Sequence, residues 1–160
     1  MNLTENSNKQ YIRKAKTEDY SRIAEIYVYN NRLEYFPIFN NVKFSFGELQ
    51  VLSYIDELKA KSDLSVRVYD DGVVKGFFII EAEEITKIYV DSFFQHQGIG
   101  SELLKYAINN CNGKYLWVLL KNERAVRFYE HHGFRITEEK DTLYGPYGQK
   151  EILIKMMLKD

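Results

Sequence analysis

IYVDSFFQHQGIGS, residues 88–101, joins an apolar run to a turn that contains two glycines two positions apart. The run Ile88 to Val90 predicts a buried strand, and Gly98 stands where the next helix is predicted to begin. Glycine lets a ligand approach the backbone closely, and the first turn of a helix has free N–H groups and a partial positive charge. This strand-to-helix turn is therefore suited to binding a phosphate group.

The two glycines also have other interpretations. Gly98 and Gly100 would suit a tight turn that binds nothing. A dinucleotide-binding turn needs a third glycine, but that position is Leu103, and the lysine of a Walker turn is missing as well. These two classes of nucleotide-binding turn are therefore disfavoured.

Strand and helix patterns alternate on both sides of this turn. The predicted elements are, in chain order, a strand at 11–15, a helix from 17 to before 37, a helix from 45, strands at 64–69, 73–81 and 85–90, a helix at 98–111, a strand at 115–120, a helix at 122–133, and strands at 134–139 and 151–157. This order, βααβββαβαββ, predicts an α/β domain around a mixed sheet. Residues 1–10 are expected to form a flexible arm, and residues 11–160 a single domain.

Local signals predict where several of these elements begin and end. Thr17 is a typical N-cap, and the segment 45–48 matches a capping box. Pro37 should end the first helix, and Gly113 suits a left-handed cap at the end of the third. A loop containing Tyr144-Gly145-Pro146-Tyr147 is expected to join the last two strands.

The composition excludes several classes of protein. The chain has 160 residues, and its 22 Lys and Arg nearly balance its 23 Asp and Glu, so no strong field exists to attract nucleic acid or an acidic membrane. The single cysteine, Cys111, cannot form an intramolecular disulfide, and the three histidines show no metal-ligand spacing. No apolar run is long enough to span a bilayer, and residues 1–10 lack the apolar segment of a signal peptide. We therefore expect a cytoplasmic protein without a metal.

Two motifs in this order carry a family resemblance. The first is Gln95-x-x-Gly98-x-Gly100, and the second is Asn122-x-x-Ala125-x-x-Phe128-Tyr129-x-x-x-Gly133-Phe134. They resemble the pyrophosphate loop and the next conserved segment of the GNAT superfamily, the acetyl-CoA-dependent N-acetyltransferases. The resemblance covers roughly residues 11–157, and it implies a mixed, mostly antiparallel central sheet flanked by helices.

The resemblance implies that acetyl-CoA binds as a co-substrate. In the family, the fourth strand bulges and diverges from the fifth, its backbone pairs with the pantetheine arm, and the amides of the glycine turn hold the pyrophosphate. Gln95 would brace the turn, Asn122 would contact the arm near the thioester, and Tyr129 would face the departing sulfur. The implied cofactor-binding residues are Ile88, Tyr89, Val90, Gln95, His96, Gln97, Gly98, Ile99, Gly100, Ser101 and Asn122.

The chain departs from the family in one respect. Family members often carry Lys or Arg inside the loop, whereas Gln95-His96-Gln97 offers only a histidine. Binding should then depend more on backbone dipoles, or on His96 becoming protonated beside the phosphates. Arg124 and Arg127 are expected to form a solvated face, although one of them could reach a phosphate.

Acyl transfer to an amine needs a neutral amine, a stabilised oxyanion and a protonated leaving thiolate. The resemblance makes Tyr129 the candidate acid, since the pKa of a phenol is near that of a thiol; its periodicity alone would suit a core tyrosine. Glu84 is the candidate base, acting through water, because related enzymes often have a glutamate eleven residues before Gln95. Glu81 and Glu83 are alternative bases, and Glu84 could instead be a solvated carboxylate in a turn.

In the family, the acceptor site lies between the first two helices and the last hairpin. An aromatic lining would suit a small amine with an apolar body or a peptide N-terminus, although the rings could simply cover the core. The predicted acceptor residues are Tyr27, Tyr35, Phe36, Tyr144 and Tyr147. We expect N-acetyl transfer to a primary amine through a direct ternary complex, by a monomer or homodimer with no nucleic-acid or membrane partner. The alternative is a non-catalytic acyl-CoA-binding or interaction module.

Overall fold

A computed structural model describes residues 10–61, 65–145 and 148–160. Its elements are β1 (Ile12–Lys14), α1 (Tyr20–Phe39), α2 (Val51–Ala60), β2 (Ser65–Asp70), β3 (Val74–Glu81), β4 (Glu84–Val90), α3 (Ile99–Cys111), β5 (Tyr115–Leu119), α4 (Glu123–His131), β6 (Phe134–Tyr144) and β7 (Lys150–Leu158). The predicted order βααβββαβαββ is confirmed. The predicted N-terminal arm lies outside the described residues, apart from Gln10.

The seven strands form one sheet in the order β1-β2-β3-β4-β5-β7-β6. Every neighbouring pair is antiparallel except β4 and β5, which run parallel. This confirms the expected mixed, mostly antiparallel sheet. Within the described chain, β4 and β5 share a single residue pair, Glu84 with Tyr115 at the start of both strands. The strands diverge beyond that pair, and the middle of the sheet opens as a wedge.

A bulge in β4 lies next to this single pair. Ile79 is opposite Lys87 and Ile80 is opposite Ile85, so Thr86 is an extra residue on the β4 side. Its hydroxyl donates a hydrogen bond to the Ile79 carbonyl oxygen (3.3 Å). A bulge bends the strand that contains it, and this one bends β4 where β4 separates from β5.

Apolar side chains bury both faces of the sheet. One cluster lies under α3, whose residues Ile99, Leu103, Leu104 and Ala107 are all buried, as the helical spacing predicts. The other cluster lies under α1 and α2. Because side chains alternate along a strand, β4 contributes to both clusters: Ile88 and Val90 pack on the α3 side and Tyr89 on the α1 side.

The predicted end of the first helix is wrong. The helix α1 continues through Pro37 to Phe39, and the left-handed Asn40 then donates its N–H to the Phe36 carbonyl oxygen (2.8 Å). Proline removes one backbone donor, the one that would bond the carbonyl four residues earlier. In the last turn of a helix, this costs a single hydrogen bond and does not stop the helix.

The predicted starts of the first two helices are also wrong. Thr17 lies in a 3₁₀ turn, Thr17–Asp19, and α1 begins after it. The segment 45–48 belongs to a π-helical turn, Lys43–Glu48, and α2 starts only at Val51. The side chain of Asn41 accepts the Phe44 N–H (3.0 Å), so the turn is capped four residues before the predicted cap.

Two later boundaries differ from prediction. Asn112, rather than Gly113, takes the left-handed position after α3, with φ of 59°. Gly113 is needed for packing instead, since a Cβ there would lie 2.9 Å from the Ile85 side chain. Strand β6 extends to Tyr144, past the predicted end at 139. Its register shifts between Ile136 and Lys140, and this irregular polar segment hides the strand pattern.

None of the helices in the described parts of the chain is long and apolar enough to cross a membrane.

Candidate active site

The wedge between β4 and β5 continues into a cleft of about 410 Å³. Residues from α1, β4, β5, the glycine turn, the start of α3 and the start of α4 line it. The predicted site residues that line it are Tyr35, Ile88, Tyr89, Val90, Gln95, His96, Gly98, Ile99, Gly100, Ser101, Asn122 and Tyr129. Those that do not are Tyr27, Phe36, Glu84, Gln97 and Tyr144, and Tyr147 lies outside the described residues. Most of the two motifs therefore meets at one cleft.

The glycine turn presents backbone N–H groups to this cleft. Gly98 has φ of 84° and directly precedes α3, and the first helical hydrogen bond runs from the Glu102 N–H to the Gly98 carbonyl (3.1 Å). The N–H groups of residues 99–101 therefore have no acceptor within the helix. A Cβ at Gly100 would meet only ordinary contacts of 3.6 Å and more. Packing within the protein therefore does not require a glycine at this position. The close approach of a ligand explains the glycine better than packing does.

Two side-chain amides hold the end of β4 in place. Gln95 Nε2 donates to the Val90 carbonyl oxygen (3.2 Å). Asn30 Nδ2, on α1, donates to the same oxygen (3.1 Å) and to the Ile26 carbonyl (2.9 Å). Asn30 is buried, with 2% of its surface exposed. Asn30 was not predicted from the sequence, because no local pattern in α1 shows that its side chain bonds to a strand 60 residues away.

The turn is also tied to α1 by an ion pair. Asp91, which is buried, accepts the Phe93 N–H (2.9 Å) and pairs with Arg22 Nη2 (2.7 Å). Arg22 further donates to the Val74 carbonyl (3.0 Å). These contacts fix the direction in which the chain leaves β4.

Tyr129 lies on the inner side of α4, beside the rings of Phe128 and Phe134 (centroids at 5.4 and 6.0 Å). Burial raises the pKa of its phenol, and the nearby Glu34 and Tyr35 raise it further. The phenol therefore keeps its proton at neutral pH and can donate it within the cleft. Asn122 caps the same helix by accepting the Ala125 N–H (3.2 Å).

One carboxylate lines the cleft among the described residues, and it is Glu34 of α1. Desolvation raises its pKa, whereas Arg124 acts in the opposite direction. Burial also raises the pKa of its neighbour Tyr35, and it raises the pKa of Tyr89 well above the ordinary value. Sequence analysis missed Glu34; the signal that could have found it is its position beside Tyr35, a predicted acceptor residue.

Glu84 occupies the closed end of the wedge, where it pairs with Tyr115 across the sheet and lies opposite Glu81. Partial burial raises its pKa, the charge of Glu81 adds to the rise, and Lys155 and Lys87 oppose it. A carboxylate at this position does not line the cleft that holds Tyr129.

Three predicted acceptor residues pack elsewhere. Tyr27 stacks on Tyr54 (4.1 Å between centroids), and burial raises its pKa to about 12. Phe36 meets Phe46 edge to face at 5.2 Å, and Tyr144 is exposed at the end of β6. Aromatic composition alone did not show which face of α1 lines the cleft.

Two histidines make polar contacts around the turn. His96 Nε2 lies 3.1 Å from Arg124 Nη2, and His132 Nε2 lies 2.9 Å from the Ser101 hydroxyl. Because a carbonyl oxygen can only accept, His132 Nδ1 donates to the Phe128 carbonyl (2.7 Å), and in that tautomer Nε2 accepts a hydrogen bond from the Ser101 hydroxyl. Among the described residues, no group of three or more His, Cys, Asp or Glu is placed to hold a metal ion.

Comparison with known proteins gives a consistent result. The family model described as acetyltransferase (GNAT) domain matches residues 61–136. The chain is 31% identical over 103 residues to the peptidyl-lysine N-acetyltransferase YjaB of Salmonella typhimurium, an overlap of 63% of this chain and 70% of that protein. It is 29% identical over 120 residues to N-alpha-acetyltransferase 50 of Danio rerio, covering 68% and 67% respectively.

The fold also matches a solved structure. The PaiA N-acetyltransferase of Thermoplasma acidophilum, crystallised in complex with coenzyme A, superimposes with a TM-score of 0.61 at 19% identity. The match covers 90% of this chain and 96% of that one.

Proposed function

This chain belongs to the GNAT superfamily and is an acyltransferase, and we propose that it transfers an acetyl group from acetyl-CoA to a primary amine in a direct ternary complex. The names of the two relatives given above specify a lysine and an α-amino group as acceptors. Both are primary amines, and a small molecule or a peptide N-terminus can offer one. The observation that carries the proposal is the wedge between β4 and β5, which ends at the glycine turn.

The cleft residues fit acetyl-CoA. Along β4, residues 85–90 have no strand partner on the β5 side in the described chain, so their backbone can pair with the amides of the pantetheine arm. At the end of β4, the N–H groups of residues 99–101 suit the diphosphate. When bound, acetyl-CoA supplies the activated acyl group as a thioester; the chain's own residues orient it and move the protons.

We propose Tyr129 as the acid that protonates the departing sulfur. It lines the cleft, and its raised pKa keeps the phenol protonated at neutral pH, so its proton is available to the sulfur as the carbon–sulfur bond breaks. Asn122 is proposed to contact the pantetheine arm, and backbone N–H groups of β4 to polarise the thioester carbonyl.

Two carboxylates are candidates for the base. Glu84 is the sequence-based proposal, but it lies at the closed end of the wedge. Glu34 lines the cleft and influences the titration of Tyr129, so the two groups lie within electrostatic range. The geometry favours Glu34, and we propose that it accepts the amine proton, directly or through water. Tyr35 and Glu34 then mark the acceptor side of the cleft.

The remaining proposals concern the whole chain. Residues 11–160 act as one acetyltransferase domain, working as a monomer or homodimer. The single cysteine supports a reducing, cytoplasmic location.

The test is acetyl-CoA turnover against amino acids, polyamines, aminoglycosides and peptides with free N-termini or lysines. Tyr129→Phe should lower kcat by about 10²-fold or more while leaving the affinity for coenzyme A unchanged. Tyr115→Phe, at a strand position outside the cleft lining, is the matched control. Unchanged kcat in Tyr129→Phe would contradict the role of the phenol, and a wild-type protein that fails to bind coenzyme A would contradict the function.

A further inference from the structure

The charge of the glycine turn does not match that of the ligand proposed for it. From Asp91 to Ser101 it contains no lysine or arginine, yet a diphosphate carries full negative charges. Backbone amides and a helix start offer only partial charges. A complete site for such a ligand is therefore expected to draw a cation from another part of the fold.

Arg124 is in the position to supply that cation. It stands in the first turn of α4 and lines the cleft together with His96, Gly98 and Ser101. Its Nη2 donates to His96 Nε2 at 3.1 Å, because a guanidinium only donates and the imidazole nitrogen must accept. The contact joins the start of α4 to the glycine turn.

The charge of Arg124 is not neutralised by contact. Among the described residues, no carboxylate lies within 4.0 Å of its guanidinium; Glu34 influences it only across the cleft. The neighbouring Arg127 differs, since it pairs with Glu123 (3.8 Å), is 72% exposed and does not line the cleft. One N–H of Arg124 is used on His96, which leaves the rest of its donor fork for an anion.

We propose that Arg124 binds the diphosphate of coenzyme A and replaces the cation that the glycine turn lacks. This inference rests on the proposed function, in which the cleft binds acetyl-CoA. A planar guanidinium can form two parallel hydrogen bonds to phosphate oxygens, so the contact supplies orientation as well as charge.

His96 acts on the ligand through Arg124 and is a positioning residue. Its φ of 63° is in the left-handed region, which is uncommon for a residue with a Cβ. A residue kept in this conformation at a ligand site is consistent with a functional constraint. Here the conformation accompanies the contact of the imidazole with Arg124.

The first experiment measures binding by calorimetry with three ligands: coenzyme A, dephospho-coenzyme A and pantetheine. Arg124→Ala should weaken binding of both diphosphate-containing ligands by about tenfold, and it should leave pantetheine binding unchanged. Its effect should shrink as salt is added. Arg127→Ala is the matched control and should stay within about twofold of wild type for all three ligands.

Each other outcome has a definite meaning. Equal losses in Arg124→Ala and Arg127→Ala, or no loss in either, would overturn the inference. A loss for coenzyme A but not for dephospho-coenzyme A would assign Arg124 to the 3′-phosphate and overturn the diphosphate contact. If wild-type protein binds none of the ligands, the proposed function fails before the inference is reached.

The second experiment tests the role of His96. His96→Asn keeps an acceptor and tolerates the left-handed conformation, so it should retain most of the affinity, whereas His96→Ala should lose part of it. In the Arg124→Ala background, His96→Ala should add little, because both changes remove one interaction. Additive losses in this double-mutant cycle would contradict the positioning role.

Discussion

Replacing Glu34 with glutamine tests the proposed base directly. The substitution keeps the size and shape of the side chain and removes its ability to accept a proton. Glu34 is the one carboxylate among the described cleft-lining residues, so no second carboxylate at the same surface can take over. Glu84→Gln is the matched control, because it makes the same chemical change at the closed end of the wedge.

The size of the effect depends on the acceptor. A lysine-type amine with a pKa near 10.4 is neutral in only about one molecule in 2,500 at pH 7, and an α-amine with a pKa near 8 in about one in ten. Without a base, the enzyme can use only the fraction of the amine that is already neutral in solution. The loss in kcat/KM should therefore be up to about 10³-fold, or about 4 kcal/mol, for the first acceptor and about tenfold for the second.

The assay is thiol release from acetyl-CoA between pH 6 and 10, with one acceptor of each kind. The loss in Glu34→Gln should shrink about tenfold for each pH unit gained, until the pKa of the amine is reached. Desolvation raises the pKa of Glu34. In the wild type, protonation of Glu34 should therefore add an inflection on the acid side of the pH–activity profile, and the Glu34→Gln profile should lack this inflection. A loss independent of both pH and acceptor would refute the reasoning, as would an equal loss in Glu84→Gln.

Two further predictions concern the support of the cleft. Asn30→Ala removes two hydrogen bonds from a buried amide, one of them to the Val90 carbonyl, and should lower the free energy of unfolding by about 1–3 kcal/mol; urea denaturation measures this, and Asn109→Ala, exposed on α3, should change it by less than about 0.5 kcal/mol. Gly76→Ala would place a Cβ 2.8 Å from the Tyr89 carbonyl oxygen, and it should cost about 1–3 kcal/mol because backbone cannot move aside cheaply. An unchanged free energy of unfolding in Asn30→Ala would show that the two hydrogen bonds add no net stability, and an unchanged value in Gly76→Ala would show that the neighbouring backbone relaxes freely.

Much of the fold, and the side of the cleft that the glycine turn and α4 form, could be predicted from the sequence. Gly98 and Asn122 mark two helix starts by local chemistry, and such signals do not depend on distant residues. The strands were recognisable where apolar residues run continuously, as in β5. The polar middle of β6 was not, because its register shift breaks the alternation that reveals a strand.

The side of the cleft that α1 forms was predicted less well, for a physical reason. Which face of α1 meets the cleft is set by how the helix packs on β3 and β4, and its sequence carries aromatic rings on several faces. Tyr35 lies at the cleft, whereas Tyr27 packs on Tyr54. Glu34 and Arg124 become neighbours only in three dimensions, since they come from α1 and α4 at opposite ends of the chain order.

In the part of the chain that the structure describes, β4 and β5 share one backbone pair, so the sheet has two halves with little direct pairing between them. A ligand bound between the two strands would therefore stabilise the sheet as well as occupy the cleft. The unliganded protein should then have the lower melting temperature, and the rise in melting temperature should grow with the logarithm of the ligand concentration. Slower amide exchange on saturation should appear first at residues 85–90, on the open edge.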